Sequence, residues 1–232
     1  GALLGSAAVS AIFAILFVIL LPKQENFRPK QLHFKAEIRA MINHWRNLEL
    51  GLLFLFAFLG MGAFVSMYNF ITFRLIHHFG LPVTLTGLVF LMYLAGTWSS
   101  ARVGTIINKY GHSKTFVVSA VLYALGIVMT LGPLPVLLAG MFIFTAGFFA
   151  AHSTAAGWVG QAAAPNRAEA SSMYLLCYYA GSSAVGAASG LVFEATSWTG
   201  FIAFISCFTV AVILIGAWLL KSTSRVKEPV AV

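Results

Sequence analysis

His152 stands near the middle of "FFAAHSTAAGW", residues 148–158. An imidazole, whose ordinary pKa of about 6.5 lets it exchange protons near neutrality, is in such a run a candidate proton relay or substrate contact. A neutral histidine bonded to a neighbouring helix is the alternative use of the same residue. Tyr174 and Tyr178 are four apart and share a helix face, with Tyr179 turned by about 100 degrees. Such a surface of rings and hydroxyls suits amphipathic or cationic solutes through stacking and cation–π contact, or serves as packing with each hydroxyl bonded inside the protein. Ser66, Asn69 and Thr72 recur every third residue, a stripe that either lines a cavity or bonds a neighbouring helix. A different chemistry belongs to "YGHSKTF", residues 110–116, where Lys109, His112 and Lys114 surround one tight turn. Arg74 and Arg102 lie close enough to expected helix ends to snorkel. Trp98 and Trp158 read as interfacial anchors or packing.

The surroundings of these residues decide how they are positioned. The chain is 60% hydrophobic and 9% charged, with a mean hydropathy of +0.91, too little polar surface to cover a soluble globule. Runs long enough to cross roughly 30 Å of hydrocarbon at about 1.5 Å per residue fall at 2–21, 49–75, 83–107, 114–131, 135–161, 168–194 and 199–220. They are continuously apolar rather than alternating, which predicts an all-α polytopic membrane protein with seven transmembrane helices, not a barrel. Cys177 and Cys207 both fall inside these spans, where a thiol acts as a small apolar group.

Thirteen of the fourteen Lys and Arg residues lie in the first, third and fifth connections and the C-terminal tail; Arg74 is the exception. The positive-inside rule makes those connections and the tail, 221–232, cytoplasmic. The net charge of +8 is then accounted for by topology and by anionic headgroups of the lipid bilayer, and no nucleic-acid partner is expected. Residues 22–48 read as a basic linker. Within it "FKAEIRAMINHWRN" sets Phe34, Ile38, Met41 and Trp45 opposite Lys35, Arg39 and Arg46, the pattern of a helix lying on the membrane surface, with a soluble partner as the alternative.

The six spans within 49–220 are joined by connections as short as "GPLP" at 132–135 and "PNRA" at 165–168, which predicts one compact bundle. The chain opens inside a hydrophobic run with no initiator Met, so it is expected to be a fragment whose span at 1–21 closes an earlier bundle. No repeat relates 49–131 to 135–220. Gly186 and Gly190 form a G-x-x-x-G step, where another backbone is expected to approach closely.

Catalysis is not expected. The sequence holds no Gly-rich phosphate loop, no metal-ligand cluster and no nucleophile with a base and an acid, so neither cofactor nor metal is implied. There is no Asp, and Glu25, Glu37, Glu49, Glu169, Glu194 and Glu228 sit in loops or at expected helix ends. A carboxylate for proton coupling would therefore lie outside this chain. A retinal protein needs a lysine inside a span, and no span interior supplies one. What remains is a secondary carrier or, as the alternative, a seven-helix receptor or scaffold without transport activity.

"GTIINKYGHSK", residues 104–114, resembles the cytoplasmic turn motif of the major facilitator superfamily, roughly G-x-x-x-D-R-x-G-R-R. Gly104 and Gly111 match, Lys109 and His112 replace arginines, and Asn108 stands where the aspartate would be. "YLAGTWSS" at 93–100, "AGFFAAHS" at 146–153 and "ASSMYLLCYYAGSS" at 170–183 are similar to bacterial inner-membrane, efflux-like members of that family. The resemblance implies that the seven spans are helices six to twelve and that the linker joins two bundles. It further implies alternating access for a small-molecule substrate, with the N-terminal bundle of the same protein as partner. It favours Tyr68, Asn69, His152, Tyr174 and Tyr178 as cavity residues. It makes the turn a gate, in which Gly104 allows close packing, Gly111 takes a tight or left-handed backbone, and Lys109 and Lys114 meet acidic groups or helix ends of the other bundle.

Overall fold

The computed structural model describes residues 2–21, 34–163 and 166–226. Residues 22–33, with Lys23, Glu25, Arg28 and Lys30 of the expected linker, lie outside the described residues, as do Pro165 and the end of the tail with Lys227 and Glu228. Seven helical stretches among the described residues are long and apolar enough to cross a membrane: Leu3–Leu20, Leu48–His77, Val83–Tyr110, His112–Met129, Leu134–Ala162, Arg167–Ala195 and Trp198–Thr223. The chain is an all-α, multi-pass membrane protein. Its two compact units divide at Phe34. The first holds α1 (Ala2–Leu20), apolar at every position except Ser6 and Ser10 and long enough to cross a bilayer.

The second unit begins at Lys35, within the amphipathic α2 (Phe34–Asn43), which passes through one 3-10 turn, His44–Arg46, into α3 (Leu48–His77). Asn47 starts α3: its side-chain oxygen accepts from the backbone N–H groups of Glu49 at 3.0 Å and Leu50 at 3.4 Å, satisfying two of the donors a helix start leaves open. The expected single helix over 83–107 is instead three pieces: α4 (Val83–Thr86), a 3-10 segment (Gly87–Met92) and α5 (Tyr93–Tyr110). At three residues per turn, side chains three apart align. Phe90 and Tyr93 accordingly fall in register, with ring centroids 6.4 Å apart, and both rest on Tyr68 of α3, at 5.7 and 4.8 Å. The hydrophobic pattern of 83–107 does not distinguish the two helix types; the aromatic contact does.

α6 (His112–Met129), α7 (Leu134–Ala162), α8 (Arg167–Ala195) and α9 (Trp198–Val226) complete the unit. α3 packs on α8, and α6 packs on α7; α5 lies on α7, and α9 lies on both α6 and α3. In lipid the helices gain little from hiding apolar surface, so they associate through close fit at small residues. An added Cβ at Gly147 would lie 2.5 Å from the Tyr123 nitrogen, and one at Gly140 2.7 Å from the Gly126 carbonyl oxygen. At Gly181 the carbonyl of Phe58 on α3 occupies the place a side chain would need, and at Gly62 Val185 of α8 does the same at 2.5 Å. The expected close step at Gly186 and Gly190 is corrected: their nearest neighbours are the side chains of Val65 at 3.8 Å and Phe70 at 3.7 Å, ordinary contacts. The tight crossing lies one turn and a half earlier, at Gly181, because α3 there presents its backbone.

Gly181→Ala is therefore expected to cost about 1–3 kcal/mol through overpacking and to lower the melting temperature in detergent. Gly186→Ala, which fits the space present, is expected to leave it nearly unchanged.

Candidate functional site

α7 and α8 run side by side and place His152 against Tyr174. The imidazole Nδ1 and the Tyr174 hydroxyl are 2.9 Å apart, a hydrogen bond whose donor is set by the imidazole tautomer. Tyr178, one turn further along α8, packs its ring 4.9 Å from that of His152. Tyr174 is buried, whereas His152 and Tyr178 are half-buried. His152 lies ten residues before the end of α7, which is roughly 15 Å of helical rise and thus about halfway through a hydrocarbon core.

The cluster continues through phenylalanines that motif reading passes over. Phe148 stacks on His152 at 5.9 Å and on Phe64 at 4.3 Å, and Phe64 meets Tyr68 at 4.9 Å. Tyr68 is buried, and its hydroxyl shares a 2.6 Å hydrogen bond with Thr145 Oγ1. Four expected cavity residues, Tyr68, His152, Tyr174 and Tyr178, thus belong to one aromatic array across α3, α7 and α8. The spacing carried a usable sign: Phe148 and His152 are four apart, as are Phe64 and Tyr68, so each pair shares a face. Asn69 is not joined to the array; it is exposed on α3. The stripe it belongs to is split, since Ser66 is buried and donates to the Gly62 carbonyl at 2.8 Å and the Val185 carbonyl at 3.5 Å. Beside the array, Ser153 of α7 donates to Ser100 of α5 at 3.0 Å.

A second set of residues gathers where α3 starts, α5 turns into α6, and α7 and α9 end. Gly111 has φ +80 and ψ 164, a region that side chains avoid. Its N–H closes α5 on the Ile107 carbonyl at 2.7 Å, while its carbonyl accepts from the Thr115 hydroxyl at 2.8 Å. His112 and Lys114 line a hollow of about 500 Å³ with Glu49, Tyr110, Trp158 and Thr223. Trp158 is buried here and donates its Nε1–H to Glu49 Oε1 at 2.6 Å, so it ties α7 to α3. The turn divides the expected gate residues. Asn108 is exposed, and Lys109, also exposed, leans over the Tyr110 ring at 5.0 Å; neither lines the hollow. At Gly104 nothing among the described residues lies within 4 Å of where its Cβ would be, and its face is open.

Two arginines behave differently from simple snorkelling. Arg74, in the last turn of α3, holds its guanidinium over Phe79 at 5.5 Å and Trp198 at 5.7 Å. Arg102 lies eight residues before the end of α5, and its guanidinium sits over Trp98 at 5.3 Å, back along the helix and away from the turn. Helical side chains lean toward the N-terminus, and a tryptophan four residues earlier meets the cation on that path.

A fold of membrane-crossing helices fastened at glycines, with a histidine and tyrosine array within the bundle, defines a polytopic membrane helix bundle. Residues 52–231 match the profile of the Major Facilitator Superfamily, and the chain belongs to that family. It is 39% identical over 205 residues to the inner membrane transport protein YnfM of Escherichia coli strain K12, covering 88% of this chain and 49% of YnfM. It is 33% identical over 216 residues to the MFS-type transporter YybF of Bacillus subtilis strain 168, covering 92% of this chain and 54% of YybF. The chain therefore spans about half the length of the curated relatives it matches. The crystal structure of the nucleoside transporter NupG, D323A mutant, superposes with a TM-score of 0.72 at 19% identity over 92% of this chain and 59% of NupG, a likeness of fold.

Trp158→Phe removes the donor from Glu49 and is expected to destabilise the fold by about 1.5–3 kcal/mol, the usual worth of a hydrogen bond to a charged group. Gly111→Ala is expected to cost about 1–3 kcal/mol from backbone strain alone. Unfolding of each variant in detergent checks both.

Proposed function

We propose that the chain is the C-terminal portion of a secondary active carrier that moves a small solute across a bacterial inner membrane by alternating access. The array of buried Tyr174 with half-buried His152 and Tyr178 carries this reading. Polar groups held halfway through hydrocarbon are costly and tend to mark a solute path, and rings with hydroxyls suit an amphipathic or cationic solute. Membership of the family and the likeness to the transporters YnfM and YybF support transport as the activity. In this reading the direction is efflux of a drug or metabolite, and His152 is the titratable group this half contributes to proton coupling.

The remaining parts take their places accordingly. Residues 1–21 form helix six of the N-terminal bundle, 22–48 the cytoplasmic linker with α2 on the membrane surface, 49–220 the C-terminal bundle and 221–232 a cytoplasmic tail. The N-terminal bundle of the same protein is the partner across the cavity. Gly104, Asn108, Lys109, Gly111, His112 and Lys114 form the cytoplasmic gate, and the open face at Gly104 is where a helix of that bundle approaches. Asn69, exposed on α3, faces the shared cavity.

Transport measured in proteoliposomes with the full-length protein tests the proposal. His152→Ala is expected to lower transport by about 10²-fold, the lower range for a lost proton-transfer group, and to flatten its pH profile. Tyr174→Phe, which removes the histidine's partner, is expected to shift that profile with a smaller loss. Full activity of His152→Ala with the native pH profile would remove the residue from the pathway.

A further inference from the structure

We infer that the groove between α5 and α6 is a binding site for an anionic phospholipid of the cytoplasmic leaflet. The groove has a volume of about 420 Å³ and is lined by Trp98, Arg102, Ile106, Tyr110, Lys114 and Val118, with Ala146 and Ala150 of α7 along it, within the roughly 300–1,000 Å³ range of ligand pockets. Its walls are apolar although Ser99, Thr115 and Ser119 take part in them. Each of those hydroxyls donates to a backbone carbonyl of its own helix: Ser99 to Gly96 at 3.0 Å, Thr115 to Gly111 at 2.8 Å and Ser119 to Thr115 at 2.7 Å. The groove thus offers hydrocarbon walls and two cations.

Those cations mark the ligand's charge. Arg102 lies about 12 Å of helical rise inside the end of α5, and the groove lining contains no carboxylate. An arginine at that depth calls for an anion, and its contact with the Trp98 ring is weak enough for a phosphate to displace. Lys114 stands at the rim, on the first turn of α6. The outer face of α6 identifies the source. Its exposed positions Val118, Val121, Leu122, Leu125 and Val128 form a helical stripe with no polar member, ending at Lys114. A face of that composition looks into hydrocarbon, not into a solute cavity or onto a charged protein surface. The occupant reaches the groove from the bilayer, with its phosphate between Lys114 and Arg102 and an acyl chain over Ala146 and Ala150.

The test is native mass spectrometry of the full-length protein released from nanodiscs that contain equal amounts of phosphatidylglycerol and phosphatidylcholine. The expected result is preferential retention of phosphatidylglycerol, reduced about fivefold by Arg102→Gln, the worth of one cation near an anionic headgroup, and restored by Arg102→Lys. Ala150→Leu, which keeps both charges but narrows the groove, is expected to reduce retention as well, and free glycerol phosphate is expected not to compete. Equal retention of the two lipids overturns the inference. So does unchanged phosphatidylglycerol retention in both Arg102→Gln and Ala150→Leu, which would leave Arg102 to pair within the protein.

Discussion

At Gly181 the backbone of α8 lies against the Phe58 carbonyl of α3, and at Gly126, Gly140 and Gly147 α6 and α7 meet with no room for a side chain. Where the surrounding lipid is as apolar as the helices, such close approach is what holds a bundle together. The rest of the second unit depends on it. Tyr174 and Tyr178 precede Gly181 by two turns and one, so the crossing that fixes α8 on α3 also fixes where these rings stand. The α6–α7 crossing likewise sets the depth of Phe148 and His152 on α7.

Within that frame the polar side chains divide by what they reach. Ser99, Ser119, Thr130 and Thr154 return their hydroxyls to their own helix, which keeps their faces apolar. Others bridge helices, among them His152 with Tyr174, Tyr68 with Thr145, Ser153 with Ser100, Tyr123 with the Gly60 carbonyl, and Trp158 with Glu49. The first three border the aromatic array, Tyr123 fastens α6 to α3 within the core, and the last closes the end that carries the Gly111 turn. A buried hydrogen bond between helices fixes register as well as adding stability. The two regions proposed for substrate and gate are therefore anchored on the same helix, α7.

The membrane spans were legible because continuous apolar length is a strong signal, and the bounds read from hydropathy agree with the observed helices to within a few residues except at 221–226, where α9 runs on past the apolar run. The positive φ at Gly111 was legible too, since a glycine between two helices with no other break leaves few conformations. What sequence could not supply was rotation about a helix axis. It showed G-x-x-x-G at Gly186 and Gly190, whereas the face of α8 that meets α3 places Gly181 at the contact. It showed Arg102 near a helix end, but the direction of its side chain depends on Trp98. His152 and Tyr174 could be read as candidates separately; their bond required the pairing of α7 with α8. The 3-10 segment from Gly87 to Met92 was hidden because it leaves the apolar pattern intact.

In the proposed carrier the α7–α8 array borders a path open in turn to each side of the membrane. Single-cysteine labelling of the full-length protein, with Cys177 and Cys207 replaced, tests it most directly. A membrane-impermeant thiol reagent is predicted to reach Tyr178→Cys from either side, with the balance between sides shifting when transported solute is present, while Val118→Cys on the outer face of α6 stays unlabelled. Tyr178→Cys that reacts from neither side under any condition would mean that no such path runs past the array.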